Sequence, residues 1–418
     1  MKKNLFILAA AALAFAACSN DEMVASVDTS QSNAISFRPL MNNVTRAADQ
    51  TTTTLQAEGK GFYVTAIHSE GSTTYFDNVQ FKWNSSSSTF NSDKKYYWPS
   101  TGTLDFFAYA PATDASQLTR TNYKTFTVTP STTIANQVDL IYANTDGKAK
   151  TGTYTKDAAT KQYGADGVPI NFRHTGCKIV IKVKNNANTN LKYEITGVKI
   201  VNVDGSATFT YNDTPSSGDI NTDKVDGNSK QLLIGDWSNN ADAQTVTYKS
   251  PDFTANTFTA QQSTGQFLNS SGTIGTEDEN LHMILIPQST AAVGNAYSAA
   301  TEGAPYTGSY IALKMKIYNI AGTTESPVYT VIADASGTTT YGDDTVDKWA
   351  MWPVQFTWNP GYKYTYTIDV ANGGYWERND DSTNDLDPIF EGAVIKFVDV
   401  TVDAWRDGGD TAVSGPSL

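Results

Sequence analysis

Two cysteines and three histidines are all that the 418 residues contain. Two cysteines cannot make a disulfide framework, and His68, His174 and His282 have no metal-ligand spacing. The chain has no G-x-S-x-G elbow and no phosphate-cradling P-loop. No enzymatic function, cofactor or metal is therefore expected. The acidic run Glu377-Arg378-Asn379-Asp380-Asp381, with Asn384-Asp385-Leu386-Asp387, lacks the Gly-centred pattern of an EF-hand and reads as a solvated loop. Charge is scarce as well, at 17% of residues, and Lys and Arg are outnumbered, giving a net charge of −13. That balance excludes nucleic acid, whose phosphates need clustered cations; it suits a protein kept soluble by acidity. Beyond the first residues no stretch approaches the ~18 apolar residues of a membrane-spanning helix. Apolar residues at helical spacing are also missing, as is any short-period repeat, which excludes solenoids and propellers.

The chain is rich instead in Thr, Ser and Asn around 22 Tyr, 18 Phe and 8 Trp. Short Thr/Tyr/Val-rich runs broken by Gly, Asn, Asp and Ser predict strands. The first is Ala34-Ile35-Ser36-Phe37-Arg38-Pro39, which places Ile35 and Phe37 on one face. Pro39 cannot donate to a ladder, so this strand belongs at an edge or a bulge. Further candidates are Phe62–Ile67, Tyr75–Trp83, Leu104–Tyr109, Thr125–Val128 and Val138–Tyr142. A second series comprises Lys178–Val183, Tyr193–Val203, Ala207–Tyr211, Met283–Ile286, Tyr310–Tyr318, Val328–Ile332, Phe356–Trp358, Tyr362–Val370 and Val394–Trp405. Many short strands with such turns predict an all-β fold of β-sandwiches. The length suggests two domains, at roughly 100–200 residues each. The polar, Gly-dotted stretch 147–167 sets a boundary within 172–177, giving units 47–174 and 175–418.

The N-terminus reads as an address. Residues 1–17 have a basic start and an Ala-rich apolar run, as a signal peptide does. Phe15-Ala16-Ala17-Cys18 resembles a bacterial lipobox, with Phe15 in place of the usual Leu, so Cys18 is the expected lipidation site. Ser19-Asn20-Asp21-Glu22 looks like an export tag to the outer face of the outer membrane. Residues 18–46 form a tether plus the first strand. Cys177, beside a strand pattern, is expected to be a small buried hydrophobe.

Several segments in order resemble the fimbrillin family of type V pilus subunits. They are Lys95-Tyr96-Tyr97-Trp98-Pro99 with Leu104-Asp105-Phe106-Phe107-Ala108-Tyr109-Ala110-Pro111, then Asp139-Leu140-Ile141-Tyr142-Ala143, Phe172-Arg173-His174 and Leu285-Ile286-Pro287-Gln288. Gly361-Tyr362-Lys363-Tyr364-Thr365-Tyr366 and Val400-Thr401-Val402-Asp403-Ala404-Trp405 complete the series. The resemblance implies two transthyretin-like, Greek-key β-sandwiches in tandem and a lipoprotein precursor. It also implies an Arg-specific protease that removes the leader together with the first strand; the matching bond here is Arg46-Ala47.

A groove emptied of Ile35 and Phe37 would expose apolar surface and unpaired backbone, a hazard unless a neighbour's strand fills it. The expected donor is the C-terminal run 394–405, with Val398, Val400, Val402 and Ala404 on one face; the same run could instead complete the second sandwich. The expected partners are other fimbrillin subunits, the protease, the outer membrane before cleavage, and a host or bacterial surface ligand for adhesion. Two alternatives stand beside this reading. One is a tip adhesin of the same fibre. The other is a monomeric surface glycan-binding lipoprotein, in which Trp352, Trp358, Trp376 and Trp405 stack on sugar rings. Asp344-Thr345-Val346 and Asp410-Thr411-Ala412 are short, unspecific O-glycosylation candidates.

Overall fold

A computed structural model describes residues 34–40, 52–68, 72–99, 101–111, 116–144, 153–154, 167–186, 190–211, 223–225, 229–231, 235–239, 245–259, 261–290, 308–323, 325–332, 349–376, 387–388 and 399–404. The fold is all-β, with one five-residue helix, Thr52–Gln56, and short 3-10 turns among the described residues. No described helix is long and apolar enough to cross a membrane.

The first half forms a nine-stranded sheet that bends round a core. Its path runs from Val168–Asn171 through Phe37–Leu40, Thr89–Asn91, Thr73–Asn84, Phe62–His68, Leu104–Ala110 and Ile141–Asn144 to Arg173–His174, and Thr153–Tyr154 pairs with Leu104–Ala110. The two ends of this path belong to one stretch of chain, on either side of Phe172. The sheet thus returns on itself, and inward residues of most of its strands meet in one enclosed core. That core holds Ile35, Phe37, Phe62, Val64, Phe81, Phe90, Phe106, Ile141 and Phe172.

The second half is a sandwich. A five-stranded sheet runs Gln262–Phe267, Cys177–Asn185, Tyr362–Asp369, Asp399–Ala404, with Met283–Leu285 also on Cys177–Asn185. An eight-stranded sheet runs Thr245–Lys249, Leu191–Asp204, Tyr310–Thr323, Trp349–Pro353, Tyr375–Trp376, Asp387–Pro388, with Asn256–Phe258 and Ser326–Ile332 alongside. Their inner faces meet in the largest core, among them Ile179, Ile181, Tyr193, Ile195, Tyr248, Leu313, Trp352, Phe356 and Trp358. The opposite face of the eight-stranded sheet buries Val201, Tyr310, Ala312, Trp349 and Met351.

The two halves share structure. The hairpin Leu118–Arg120/Thr125–Val128 pairs with Ala207–Tyr211, which pairs with Gly235–Asn239. A third core, including Tyr109, Phe126, Tyr142, Phe209 and Ile286, lies beneath this sheet. Ile134 inserts into the second core, and the Gln137 side chain accepts the Ile284 N–H at 2.7 Å. One sheet therefore draws strands from both sides of the expected boundary.

Most expected strands are present, with two corrections. Phe356–Trp358 is no strand: Phe356 N–H donates to Thr290 Oγ1 and Trp358 N–H to the Gln288 carbonyl, leaving one bridge at Thr357. Strand geometry in the Val138–Tyr142 stretch begins only at Ile141, because Asp139 is held by His174 and the Leu140 carbonyl by Thr175. The expected donor run 394–405 is described only as Asp399–Ala404.

Candidate functional site

The first strand lies at the centre of the first core rather than at its margin. Phe37 is fully buried and Ile35 is 2% exposed. The Phe37 ring meets Phe81 at 4.7 Å and 83°, Phe106 at 5.0 Å and 84°, and Phe62 at 6.2 Å and 69°. Edge-to-face pairs of this kind add about 0.5–1.5 kcal/mol each beyond area burial.

The backbone is clasped as tightly. Phe37–Leu40 runs parallel to Val168–Asn171, while Phe37 alone pairs with Phe90 on the other side. Ile35 N–H donates to the Tyr96 carbonyl at 2.7 Å, and Val168 N–H to the Ser36 carbonyl at 2.8 Å. The strand is thus flanked on both sides at Phe37 and on one side at Pro39. Pro39, with no N–H, sits where the second neighbour has ended, which refines the expected edge position. Gly167, at φ +79°, makes the close approach possible, since a Cβ there would meet the Phe37 carbonyl carbon at 3.0 Å.

The segments of the first half singled out by resemblance contribute to the walls of this site. Tyr96 packs on Phe76 at 4.6 Å, and Trp98 meets Phe106 edge-on at 5.6 Å. Phe172 closes one end against Phe62 at 5.2 Å. Phe37→Ala in the uncut chain is expected to cost about 3–5 kcal/mol, the usual range for emptying a buried phenylalanine site. Denaturant unfolding measures that cost, and a loss under about 1 kcal/mol would remove the strand from the core.

The C-terminal strand occupies a different kind of place. Asp399–Ala404 is the edge of the five-stranded sheet, antiparallel to Tyr362–Thr367, with Val400 opposite Tyr366 and Val402 opposite Tyr364. Both valines are half-buried against the second core, while Thr401 is exposed. Asp403 lies opposite Lys363 in the register, and the Lys363 ammonium pairs with Glu277 at 3.1 Å. Ala404 stands opposite Tyr362 in the register. Its side chain, Val398 and Trp405 fall outside the described residues, as do Cys18, Arg46 and Ala47.

The three histidines stand apart, each with its own partner. His68 Nε2 lies 3.0 Å from the Thr101 carbonyl, His174 Nδ1 2.7 Å from Asp139, and His282 Nε2 3.2 Å from Glu277. Among the described residues no three His, Cys, Asp or Glu side chains gather for a metal. Cys177 is buried in the second core; its thiol donates to the Leu285 carbonyl, and burial pushes its pKa up.

Trp352 and Trp358, considered above for sugar stacking, are both 2% exposed. Their indole N–H groups donate to the Gly373 carbonyl and to Tyr366 Oη. Neither ring can present a face to a glycan. The Trp376 side chain and residues 344–346 and 410–412 lie outside the described residues.

Sequence reasoning missed the aromatic box of Phe62, Phe81 and Phe106. Its three members come from three strands, and each reads locally as one more inward residue. Their shared alternation with Ile35 and Phe37 is the only sequence signal.

Comparison with known proteins gives a family and a set of similar structures. A family model described as fimbrillin-like matches residues 45–405. A fimbrial protein from Bacteroides vulgatus is 20% identical, covering 90% of this chain and 100% of its own, with a TM-score of 0.49. Candidate cell adhesion proteins from Bacteroides uniformis and Bacteroides ovatus are 15% and 13% identical, with TM-scores of 0.38 and 0.37. They cover 90% and 89% of this chain, and 99% and 97% of their own. No curated protein matches the chain.

Proposed function

The chain belongs to the fimbrillin-like family, and on that premise we propose that it is a structural subunit of an adhesive cell-surface fibre. The precursor is exported, lipidated on Cys18 and held at the outer membrane. Cleavage between Arg46 and Ala47 then releases the leader with the first strand. A neighbour's C-terminal strand replaces that strand, and the head-to-tail contact, which does not close, propagates a filament. Units 47–174 and 175–418 are the two folding bodies of this reading, joined by the sheet they share.

The observation that carries the reading is the position of the first strand. Burying Ile35 and Phe37 is worth about 3–6 kcal/mol at 1.5–3 kcal/mol per side chain. A whole domain is stable by only about 5–15 kcal/mol, so the emptied groove has a strong drive to be refilled. The C-terminal strand is held more weakly: it is an edge, with two half-buried valines worth about half of that per side chain. Exchange therefore favours a donor that leaves a shallow seat for a deep one. The burial of Trp352 and Trp358 weighs against the glycan-binding alternative.

N-terminal sequencing of the surface form is expected to begin at Ala47, while the precursor carries label from a fatty acid. Cys18→Ala should abolish that label and move the precursor out of the membrane fraction. A surface form that keeps residues 34–46, or labelling that survives in Cys18→Ala, would contradict the scheme.

A further inference from the structure

The strand Ser326–Ile332 differs from every other edge described above. It is the return arm of a hairpin with Tyr310–Thr323, in register from Ile317 opposite Ile332 to Thr323 opposite Ser326. On that same flank, Trp349–Pro353 pairs only with residues 310–314. The other flank is covered by Leu191–Asp204 as far as Asn319, and the Ile320 N–H donates to the Asn190 carbonyl at 2.6 Å. Residues 321–323 and 325–330 are all exposed. Val328 and Tyr329 are 57% and 45% exposed, the two exposed large hydrophobic residues among those described.

Natural sheets blunt such edges with charge or bulges. Here Ser326-Pro327-Val328-Tyr329-Thr330-Val331-Ile332 carries no charge at all, and only Pro327, near its start, interrupts the donors. No described strand pairs with its outer side. The arm is also held in place. Tyr329 meets Tyr318 at 6.4 Å, and the Lys192 ammonium lies 4.7 Å from the Tyr318 ring and 4.5 Å from the Tyr329 ring. Lys192 is in turn paired with Glu194, which accepts from Tyr318 Oη at 2.7 Å.

We infer that this edge is a docking surface for the same edge of a second copy, paired antiparallel about a two-fold axis. The choice of partner rests on charge. Two copies of a chain with net charge −13 repel over most of their surfaces. A two-fold axis through Tyr329 sets residues 326–332 against themselves, and none of these seven residues carries a charge. Stable interfaces bury about 1,200–2,000 Å² in all, more than one seven-residue edge supplies. Single copies therefore associate weakly, and the contact gains strength where many copies are arrayed side by side. It lies in a different sheet from Asp399–Ala404, so it is independent of strand donation.

The test uses the uncut full chain, in which the first strand still fills its groove. Sedimentation analysis over micromolar to millimolar concentration should show a reversible monomer–dimer equilibrium. Val328→Lys and Val328→Glu alter an exposed side chain, so each should melt like the parent. Each should also weaken dimerisation about tenfold or more, because the two-fold axis brings the like charges together. An equimolar mixture of the two variants should dimerise again, and added salt should weaken that mixed dimer. A parent chain that stays monomeric at millimolar concentration overturns the inference. So does a parent dimer that both charged variants leave intact, or a mixture that fails to recover.

Discussion

Arg46→Ala is expected to give a folded, lipidated precursor that never enters filaments. With the bond uncut, the strand bearing Ile35 and Phe37 stays among Phe62, Phe81 and Phe106, and no incoming strand can compete with a covalently tethered occupant. The effect on polymer should be complete rather than graded. Arg46→Lys should behave the same way towards a strictly Arg-specific protease, since a planar guanidinium and a compact ammonium are not interchangeable. The variant also isolates the cost of cutting. Protease should lower the melting temperature of the parent subunit, kept dilute to prevent assembly, by on the order of ten degrees. That follows from about 3–6 kcal/mol of lost burial at a few degrees per kcal/mol for a domain of this size. The alanine variant should melt unchanged with or without protease. Electron microscopy of filaments built from uncut Arg46→Ala protein would overturn the gate.

The second large effect concerns the donor. Replacing Val400 and Val402 together with Asp should block assembly while cleavage at Arg46 proceeds. Both residues lie on the inward face of their strand, opposite Tyr366 and Tyr364, with Thr401 exposed between them. A carboxylate forced into an apolar groove costs several kcal/mol unless it is paired or neutralised. Two of them outweigh what Ile35 and Phe37 gain in the same place. Folding is the confounder, because the same strand completes the edge of the second sandwich. Half-burial at an edge lets the aspartates turn towards water there, so the precursor should still fold. Circular dichroism and thermal melting establish that first. Light scattering after protease addition then reads assembly. A folded, cut double variant that polymerises at the parent rate would exclude Asp399–Ala404 as donor and direct attention to another C-terminal element.

How far the sequence could be read depended on how locally each feature was encoded. Strands with one wetter face, such as Leu191–Asp204, announced themselves by alternation. Trp349–Pro353 did not, because all five residues are buried, between the second core and the cluster on the sheet's other face. A strand covered on both sides has no period of two to detect. Thr245–Lys249 and Gln262–Phe267 escaped for the opposite reason: they lie at sheet edges, where Tyr248 alone is fully buried and polar residues suffice at the exposed and half-buried positions. The apolar face of the first strand was legible from Ile35 and Phe37. Its depth was not, since that depends on three phenylalanines from three other strands.

The sequence by itself determined the class of structure. Runs of β-branched and aromatic residues between turn-formers commit the backbone locally to strands, whatever their partners. It also placed Ile35 with Phe37, and Val400 with Val402, on single faces, because side-chain direction follows from parity alone. Only the tertiary structure decided which strands are neighbours. Phe37–Leu40 lies parallel to Val168–Asn171, far along the chain, and the Thr125–Val128 hairpin arm pairs with Ala207–Thr210 across the expected boundary. Alternation fixes which face is buried but not against what. Partner choice comes from closing the sheet around a shared core, where Phe37 meets its ring partners and the backbone finds its remaining hydrogen bonds.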